Sequence, residues 1–169
     1  MKYILLFVFI GASSFLFGQA PDGNPDTFTA VISGNWVVPA VWSQEFGTDL
    51  DGIPDGDDQV IINNVNVTVT LDAGFGSLTI NSSGFSNRTF TINSGKSLTG
   101  YSTVESGEIL VNAGTNTAKT LTVNIANGSV SCTGLTLTNP DTDAKVLFQI
   151  KDGGSLTIEN DLVLNSTST

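Results

Sequence analysis

The sequence of 169 residues contains no histidine, a single cysteine and few positive charges. Without histidine, the chain lacks the residue that most often serves as a general base or activates a nucleophile. With Cys132 alone, it has no internal disulfide bond, so its stability must come from packing. Six Lys and Arg stand against 16 Asp and Glu, which gives a formal net charge of −10. Because nucleic-acid binding needs clustered positive charge, we expect no nucleic-acid partner.

The first 20 residues have the pattern of a secretory signal peptide. A positive charge at Lys2 precedes an apolar run that continues through Phe17, and small residues follow at Gly18 and Ala20. The run is shorter than the roughly 20 residues that a membrane-spanning helix needs. We therefore predict cleavage after Ala20, or else after Gly18, and a secreted or extracellular, cell-surface-associated protein. The membrane is then involved only through the signal peptide.

A short phrase recurs from Leu71 to Asn165 and dominates the chain. Its copies alternate apolar and polar residues and are closed by Asn, Gly or Ser, which favours short strands separated by turns. They read SLTIN at 77–81, TFTIN at 89–93, EILVN at 108–112, TLTVN at 120–124, GLTLT at 134–138 and SLTIE at 155–159. Units that cannot bury an apolar face alone must stack on one another. We therefore predict an all-β fold, a β-solenoid.

The alternation also predicts which side chains face the core. Those expected to point inward are Leu78, Ile80, Phe90, Ile92, Leu110, Leu121, Val123, Leu135, Leu137, Leu156 and Ile158. Those expected to point outward are Thr79, Thr91, Thr122, Thr136 and Thr157. We expect mainly parallel strands, joined by the right-handed connections that parallel crossovers almost always have.

A passage of different composition, with both tryptophans, precedes the repeats. It reads GNWVVPAVW at 34–42, GIP at 52–54, DQVII at 58–62, VTVTLD at 67–72 and GSLTI at 76–80. This ordered series resembles the opening of large secreted surface proteins of the Bacteroidetes type, and the resemblance covers residues 33–81 in ordered detail. It implies an adhesin-like or cell-surface protein with a right-handed parallel β-helix, of the kind exported by the type IX route.

Two roles fit the tryptophans, Trp36 and Trp42. The first rung of a solenoid needs its open end covered, and two large aromatics beside Pro39 could form that plug. The alternative is an aromatic platform for sugar rings. Bulky aromatics are more often core than ligand surface, so we favour the plug.

We divide the chain into three parts: a signal peptide at 1–20, an N-terminal cap and lead-in segment with an acidic loop at 21–75, and β-solenoid rungs at 76–169. The last residues stop part-way through what looks like another rung, and an open last rung exposes unpaired backbone and apolar surface. Proteins of the resembled type also carry a separate C-terminal sorting domain. We therefore expect the rungs to be truncated, through a shortened reading frame or as a fragment of a longer protein.

The acidic loop is the sharpest local cluster. It supplies Asp49, Asp51, Asp55, Asp57 and Asp58 on a chain bent by glycines and a proline. Closely spaced carboxylates repel one another unless a cation lies between them, and calcium takes six to eight oxygen ligands. The stretch resembles the aspartate-rich loops of thrombospondin type 3 repeats. Two readings fit: a calcium site with these five aspartates as ligands, Asp58 being either a ligand or a hydrogen-bond partner of the turn, and an acidic solvated turn without metal.

The predicted rungs carry acids but no arrangement typical of catalysis. Sugar hydrolysis needs two carboxylates that face each other across the bond. The acids of this region mostly fall at predicted turns, and no pair recurs on one face; they are Glu105, Glu108, Asp141, Asp143, Asp152, Glu159 and Asp161. The basic residues that a lyase would use are scattered. We predict a protein that is not an enzyme.

Three function classes remain for comparison. We favour a structural or adhesive module whose partner is a polysaccharide or a cell-surface glycan. The runner-up is the non-catalytic N-terminal part of a larger secreted carbohydrate-active enzyme, a polysaccharide lyase or glycoside hydrolase. The Thr-x-Thr pairs on predicted strands are reminiscent of ice-binding solenoids, but their irregular spacing argues against a flat ladder.

Overall fold

The computed structural model describes residues 21–47, 49–84, 86–103, 105–114, 119–140 and 145–166. This part of the chain is all-β, with one short 3-10 helix at Pro39–Val41. The predicted signal peptide, residues 1–20, lies outside it. The strands are β1 (Thr27–Ala30), β2 (Gly34–Asn35), β3 (Trp42–Phe46), β4 (Gln59–Asn63), β5 (Val67–Val69), β6 (Ala73–Phe75), β7 (Ser77–Asn81), β8 (Arg88–Ile92), β9 (Ser97–Gly100), β10 (Ile109–Asn112), β11 (Thr120–Ala126), β12 (Ser129–Asn139), β13 (Lys145–Lys151) and β14 (Ser155–Ser166).

The strands form two mostly parallel sheets. The larger has nine strands in the order β3-β1-β4-β7-β10-β12-β9-β6, with β14 on β12, and the smaller has five in the order β13-β11-β8-β5-β2. Within the described strands, only β1 and β3 pair antiparallel. The prediction of mainly parallel strands is therefore confirmed, and the pairing is compatible with a β-solenoid.

Strand β12 joins two stacks within the larger sheet. Its first residues pair with β9, and its later residues pair with β10. β14 pairs along both parts, with a register irregularity between Cys132 and Gly134. Each long strand therefore turns a corner between two stacks.

The registers align apolar residues in columns. In the larger sheet, Val60 pairs with Leu78, Leu78 with Ile109, and Ile109 with Leu135. All four side chains are at most 3% exposed. Because side chains alternate across a strand, residues two apart in each strand build a second column beside the first. These columns are the core of the protein.

Ten of the eleven predicted inward side chains face this core. Leu78, Ile80, Phe90, Ile92, Leu121, Val123 and Leu135 are buried, while Leu137, Leu156 and Ile158 are partly buried against the same cluster. The predicted outward threonines alternate with them: Thr79, Thr91, Thr122 and Thr136 are half-buried, and Thr157 is exposed.

The inward prediction for Leu110 is wrong. Leu110 is 38% exposed, whereas its neighbours Ile109 and Val111 are buried. The phrase EILVN has three apolar residues in a row, so alternation alone does not choose between two phases. The register decides, because Ile109 pairs with Leu78 and Leu110 with the outward Thr79.

Asparagines hold one corner of the stack. Asn64 adopts a positive φ of 58°, which Asn tolerates better than most residues. Its Oδ1 accepts a hydrogen bond from the backbone N–H of Gly84 at 2.7 Å. The preceding residue, Asn63, accepts a hydrogen bond at its Oδ1 from Nδ2 of Asn81 at 2.8 Å. Side chains of successive strands thus bond to one another outside the core.

Candidate metal centre and polar surface

The acidic loop lies between β3 and β4 and is shaped by its own carboxylates. Asp49 accepts a hydrogen bond from the N–H of Asp51, and Asp51 accepts one from the N–H of Ile53. Asp55 accepts one from the N–H of Asp57 at 3.2 Å. These are Asx turns, in which an aspartate bonds the backbone two residues on. Three of the five predicted ligands therefore also fold the loop.

Asp57 connects the loop to the start of the described chain. Its side chain is fully buried. Oδ1 accepts a hydrogen bond from the N–H of Asp22 at 3.1 Å, and Oδ2 accepts one from the N–H of Gly23 at 2.8 Å. These two bonds bring a sixth aspartate, Asp22, to the loop.

Asp22, Asp55 and Asp57 form the metal-ligand group. One carboxylate oxygen from each lies within 4.8 Å of the others. It is the one group of three or more such residues found in the described ranges, and it could hold a metal ion. Carboxylate oxygens suit hard cations. Asp22 could not be found from the sequence, because it lies 35 positions before Asp57 and forms no local motif with it.

The Asp58 carboxylate hydrogen-bonds two backbone segments. It is 1% exposed. Oδ1 accepts a hydrogen bond from the N–H of Asp26 at 2.8 Å, and Oδ2 accepts one from the N–H of Asp55 at 2.6 Å. This is the hydrogen-bond role that the sequence analysis allowed. Asp49, Asp51 and Asp58 lie outside the ligand group, and their coordination of a metal stays a prediction.

The pKa values of the loop aspartates reflect the close packing of their carboxylates. Burial and the adjoining Asp57 carboxylate raise the pKa of Asp55 from the usual 3.8 to about 8. Burial acts to raise the pKa of Asp57 too, but hydrogen bonds with Asp55 and with the backbone of Asp22 and Gly23 leave it below the ordinary value. The pair thus keeps one proton near neutral pH, on Asp55. A cation between the carboxylates would displace that proton.

Burial also acts on the neighbouring aspartates. It raises the pKa of Asp58 to about 7, although backbone donors oppose this shift. The pKa of Asp49 is raised as well, chiefly by burial and with a contribution from Asp51. The loop therefore combines several carboxylates whose ionised forms are unfavourable without a positive charge nearby.

Both tryptophans lie in the core. Trp36 is fully buried and Trp42 is 7% exposed. Their rings meet edge-on, with centroids 5.1 Å apart, and Trp36 also contacts the ring of Phe90. The indole N–H of Trp36 donates to the carbonyl of Pro54, and that of Trp42 donates to the carbonyl of Trp36. Neither indole is available as a platform for a sugar ring.

Two rung acids that looked unrelated in sequence share one cavity. Glu105 and Glu108 line a mainly polar cavity of about 360 Å³. The other lining residues are the polar Gln59, Ser77, Thr79, Ser106 and Thr136 and the apolar Leu78, Ile109 and Leu110. The cavity lies over β4, β7, β10 and β12, so its side chains come from four strands stacked in register. In the sequence both glutamates are visible but the site is not, because only the stacking of the strands brings the other lining side chains beside them. Asp141 and Asp143 lie outside the described residues.

Cys132 is a structural thiol. Its side chain is buried, and Sγ lies 3.8 Å from the carbonyl oxygen of Thr157. Burial, together with the charge of Glu159, raises the pKa of the thiol to about 11. Since the thiolate is the reactive form, this cysteine is protected from chemistry at neutral pH.

No protein-family model, curated protein or solved structure matches this chain. No helix within the described ranges is both long and apolar enough to cross a membrane. The fold, the aspartate group and the polar cavity are therefore the basis for any functional conclusion.

Proposed function

We propose that this chain is a non-enzymatic structural or adhesive module of a secreted or cell-surface protein, folded as a right-handed parallel β-helix. The observation that carries the proposal is the set of in-register apolar columns, which run through successive parallel strands. Such a fold stiffens a polypeptide and displays rows of outward side chains. The resemblance of residues 33–81 to the opening of Bacteroidetes-type surface proteins supports the same proposal, including export by the type IX route.

Calcium is the cation that we propose for the aspartate group. Asp22, Asp55 and Asp57 supply carboxylate oxygens within 4.8 Å of one another, and calcium prefers a set of oxygen ligands over nitrogen or sulfur. The bound ion ties the start of the mature chain to the acidic loop. It also neutralises carboxylates that are otherwise forced together.

A thermal-shift experiment tests the calcium proposal. Calcium should raise the Tm of the mature protein relative to a chelator, because a ligand that binds only the folded state stabilises it. Asp22→Asn should reduce the shift, since Asp22 is exposed and joins the group through its carboxylate. Asp161→Asn, an exposed acid on β14, is the matched control. Equal shifts in both variants would remove Asp22 from the site.

The polar cavity is our candidate glycan-binding surface. Glu105, Glu108 and Gln59 line it, together with serine and threonine hydroxyls. Hydroxyls, amides and carboxylates are the groups that hydrogen-bond sugars. Among the residues that the structure describes, no aromatic side chain lines it. Binding is therefore weak at each site.

A glycan array combined with a polysaccharide-degradation screen tests this surface. Glu105→Gln and Glu108→Gln should weaken binding, while Glu45→Gln, on the exposed face of β3, should not. Release of shortened or unsaturated sugars that either cavity variant abolishes would overturn the non-enzymatic proposal. Binding with no turnover by the chain also suits the runner-up, a non-catalytic N-terminal part of a larger carbohydrate-active enzyme. The catalytic centre would then lie on another part of that protein.

A further inference from the structure

Another cavity lies at the corner that the asparagines hold, where β4, β7 and β10 end. It measures about 430 Å³, which falls within the size range of small-molecule sites, roughly 300–1,000 Å³. The lining of this corner cavity consists of amides, hydroxyls and one glycine: Asn63, Asn64, Asn81, Ser82, Ser83, Asn112 and Gly114. None of these lining residues carries a charge.

The strand register places three of the amides side by side. Asn63 pairs with Asn81, and Asn81 pairs with Asn112. Each is the last residue of its strand. Because paired strands lie about 4.8 Å apart, the amide row is about 10 Å long.

Hydrogen bonds fix the row and use only part of each amide. Nδ2 of Asn81 donates to Oδ1 of Asn63 at 2.8 Å. Oδ1 of Asn112 accepts a hydrogen bond from the N–H of Gly114 at 2.9 Å. Since an amide has both donors and an acceptor, the carbonyl oxygen of Asn81 and the amide nitrogens of Asn63 and Asn112 remain for a ligand.

Ser82 adds a buried hydroxyl to the cavity. The residue is 3% exposed, and its Oγ has no hydrogen-bond partner in the part of the chain that the structure describes. Its backbone N–H donates to the carbonyl of Asn112 at 3.0 Å, which fixes the residue against the amide row. A buried hydroxyl without a partner is unfavourable. Because Ser82 lines the cavity, a ligand hydroxyl placed there can supply the partner.

Gly114 brings the chain after β10 against the turn after β7. Its φ of 69° lies in the left-handed region that favours glycine. A Cβ at this position would lie 2.7 Å from the carbonyl oxygen of Ser82 and 3.0 Å from the Cα of Ser83. The close approach therefore needs a glycine, and it makes one wall of the cavity from backbone.

We propose that the corner cavity binds a neutral polyhydroxyl ligand, one sugar unit of an uncharged glycan. A sugar hydroxyl both donates and accepts, which matches the amide donors, the amide acceptor and the hydroxyl of Ser82. An anionic ligand would meet no positive side chain among the lining residues, on a chain whose formal net charge is −10. The site adds to the adhesive function proposed above but does not rest on the cavity of Glu105 and Glu108, which lies at the first residues of β7 and β10.

A titration followed by nuclear magnetic resonance tests the proposal, with the mature chain and with glucose, galactose and mannose as probes. At least one of these hexoses should shift the side-chain amide signals of Asn63 and Asn112 until the shift saturates. Glucuronate should bind more weakly than glucose, because the cavity offers its carboxylate no positive charge. Saturation with none of the three hexoses would overturn the proposal, and glucuronate binding as tight as that of glucose would contradict the neutral ligand class.

The substitution Ser82→Ala separates a binding role from a structural one. We expect the hexose affinity to fall roughly two- to tenfold, as the loss of one hydrogen bond predicts. The Tm should stay the same or rise, because the variant removes a buried hydroxyl that lacks a partner in the free protein. Ser131→Ala, at a half-buried position of β12 outside the cavity, is the matched control and should leave the affinity unchanged. A lower Tm would reveal a structural partner of Ser82, and an unchanged affinity would remove its hydroxyl from the site; either result contradicts the assigned role.

The substitution Glu108→Gln distinguishes the corner cavity from the glutamate cavity. It should leave the hexose-induced shifts of Asn63 and Asn112 unchanged, because Glu108 does not line the corner cavity. The side-chain amide of Gln59 reports on the glutamate cavity in the same spectra. Hexoses that shift only the Gln59 signal would overturn the corner site and leave the glycan surface proposed above intact.

Discussion

At the scale of single residues, Asp57 is the clearest link between the sequence and the candidate site. Its fully buried carboxylate accepts hydrogen bonds from the backbone of Asp22 and Gly23, which lie far away in the sequence. Buried polar groups need such partners, and these charge-assisted bonds are among the stronger ones. The same carboxylate belongs to the metal-ligand group. Asp57 therefore joins the acidic loop to residues 22 and 23 whether or not a cation is bound.

The substitution Asp57→Asn tests this structural role. The amide nitrogen of Asn cannot accept a hydrogen bond, so one of the two backbone N–H groups loses its acceptor. We expect a loss of about 1–3 kcal/mol in the free energy of unfolding. Urea denaturation with chelator present measures it without a metal contribution. Asp161→Asn should change stability by less than about 0.5 kcal/mol, as exposed substitutions usually do. Equal stability of both variants would contradict the role.

The pKa of Asp55 predicts a pH dependence with a definite sign. Burial raises that pKa to about 8, above its usual 3.8. The folded state therefore binds the proton more tightly than the unfolded state, and this stabilisation is lost as the pH rises from about 4 through 8. Asp58 contributes in the same direction up to about 7. Asp57, with its lowered pKa, acts in the opposite direction and only at acidic pH, below its usual value.

If calcium binds the aspartate group as proposed, it should reverse the trend, because a cation that binds ionised carboxylates displaces the proton. Thermal melts at pH 5 and pH 8, each with calcium and with chelator, measure the effect. We expect the calcium-induced rise in Tm to be larger at pH 8. Asp55→Asn should remove most of the difference between the two pH values. A calcium effect that is larger at pH 5 would contradict the assignment of Asp55 as a ligand.

At the scale of strands, the pairing register determines which side chains of β10 face the core. The sequence of β10 alone is compatible with two alternatives. Ile109 and Val111 lie over Leu78 and Ile80, so they join the core, and Leu110 points outward. The energetic consequence differs sharply between adjacent residues. A buried side chain loses its transfer energy and leaves a cavity when truncated, whereas an exposed one leaves neither.

The pair Ile109→Ala and Leu110→Ala tests the phase of β10. Ile109→Ala should cost about 2–5 kcal/mol in the free energy of unfolding. Leu110→Ala removes the same number of carbon atoms from a side chain that is 38% exposed, and it should cost clearly less. Chemical denaturation of both variants under one condition gives the comparison. Equal costs would mean that the register of β10 against β7 is wrong.

Much of this element-level structure could be predicted from the sequence. The recurrence of SLTIN-like phrases predicts stacked, mainly parallel strands. Their alternation predicts most core residues, because side chains alternate with period two wherever a strand has one buried face. The outward direction of Leu110 could not be predicted, because three apolar residues in a row do not show which of them face the core. Asp22 and the cavity around Glu105 and Glu108 could not be predicted either. Both depend on which segments distant in sequence lie side by side, and this is determined by how the strands pair in the folded chain.

At the scale of the whole molecule, the columns unite the two sheets into one core, with Trp36 and Trp42 buried near its first strands. The whole sequence has a formal net charge of −10. The surface of the described residues carries hydroxyls and amides, together with exposed apolar side chains such as Phe46 and Leu50. In the adhesive role that we propose, the chain would attach through many weak contacts. Repetition then raises the strength of attachment without any strong single site.

Display in several copies tests this view of adhesion. If the proposed adhesive role is right, the single chain should bind a glycan weakly. The same chain coupled at high density to beads should bind about 10²- to 10⁴-fold more tightly, because linked sites raise the effective concentration. A glycan array probed with both forms measures the ratio. Tight binding by the single chain, with no gain on beads, would point to a dedicated deep site and contradict the proposal.

Stacked strands of this protein pair parallel and in one register, and disulfide cross-linking can verify that pairing in solution. In a Cys132→Ala background, Thr79→Cys and Leu110→Cys introduce two cysteines at directly paired, outward positions of β7 and β10. Adjacent strands lie about 4.8 Å apart, within the Cα separation that a disulfide spans. In-register pairing of β7 and β10 should give rapid cross-linking with no loss of Tm, and little cross-linking when Asn112→Cys replaces Leu110→Cys. Preferential cross-linking of the Thr79→Cys and Asn112→Cys pair would contradict it.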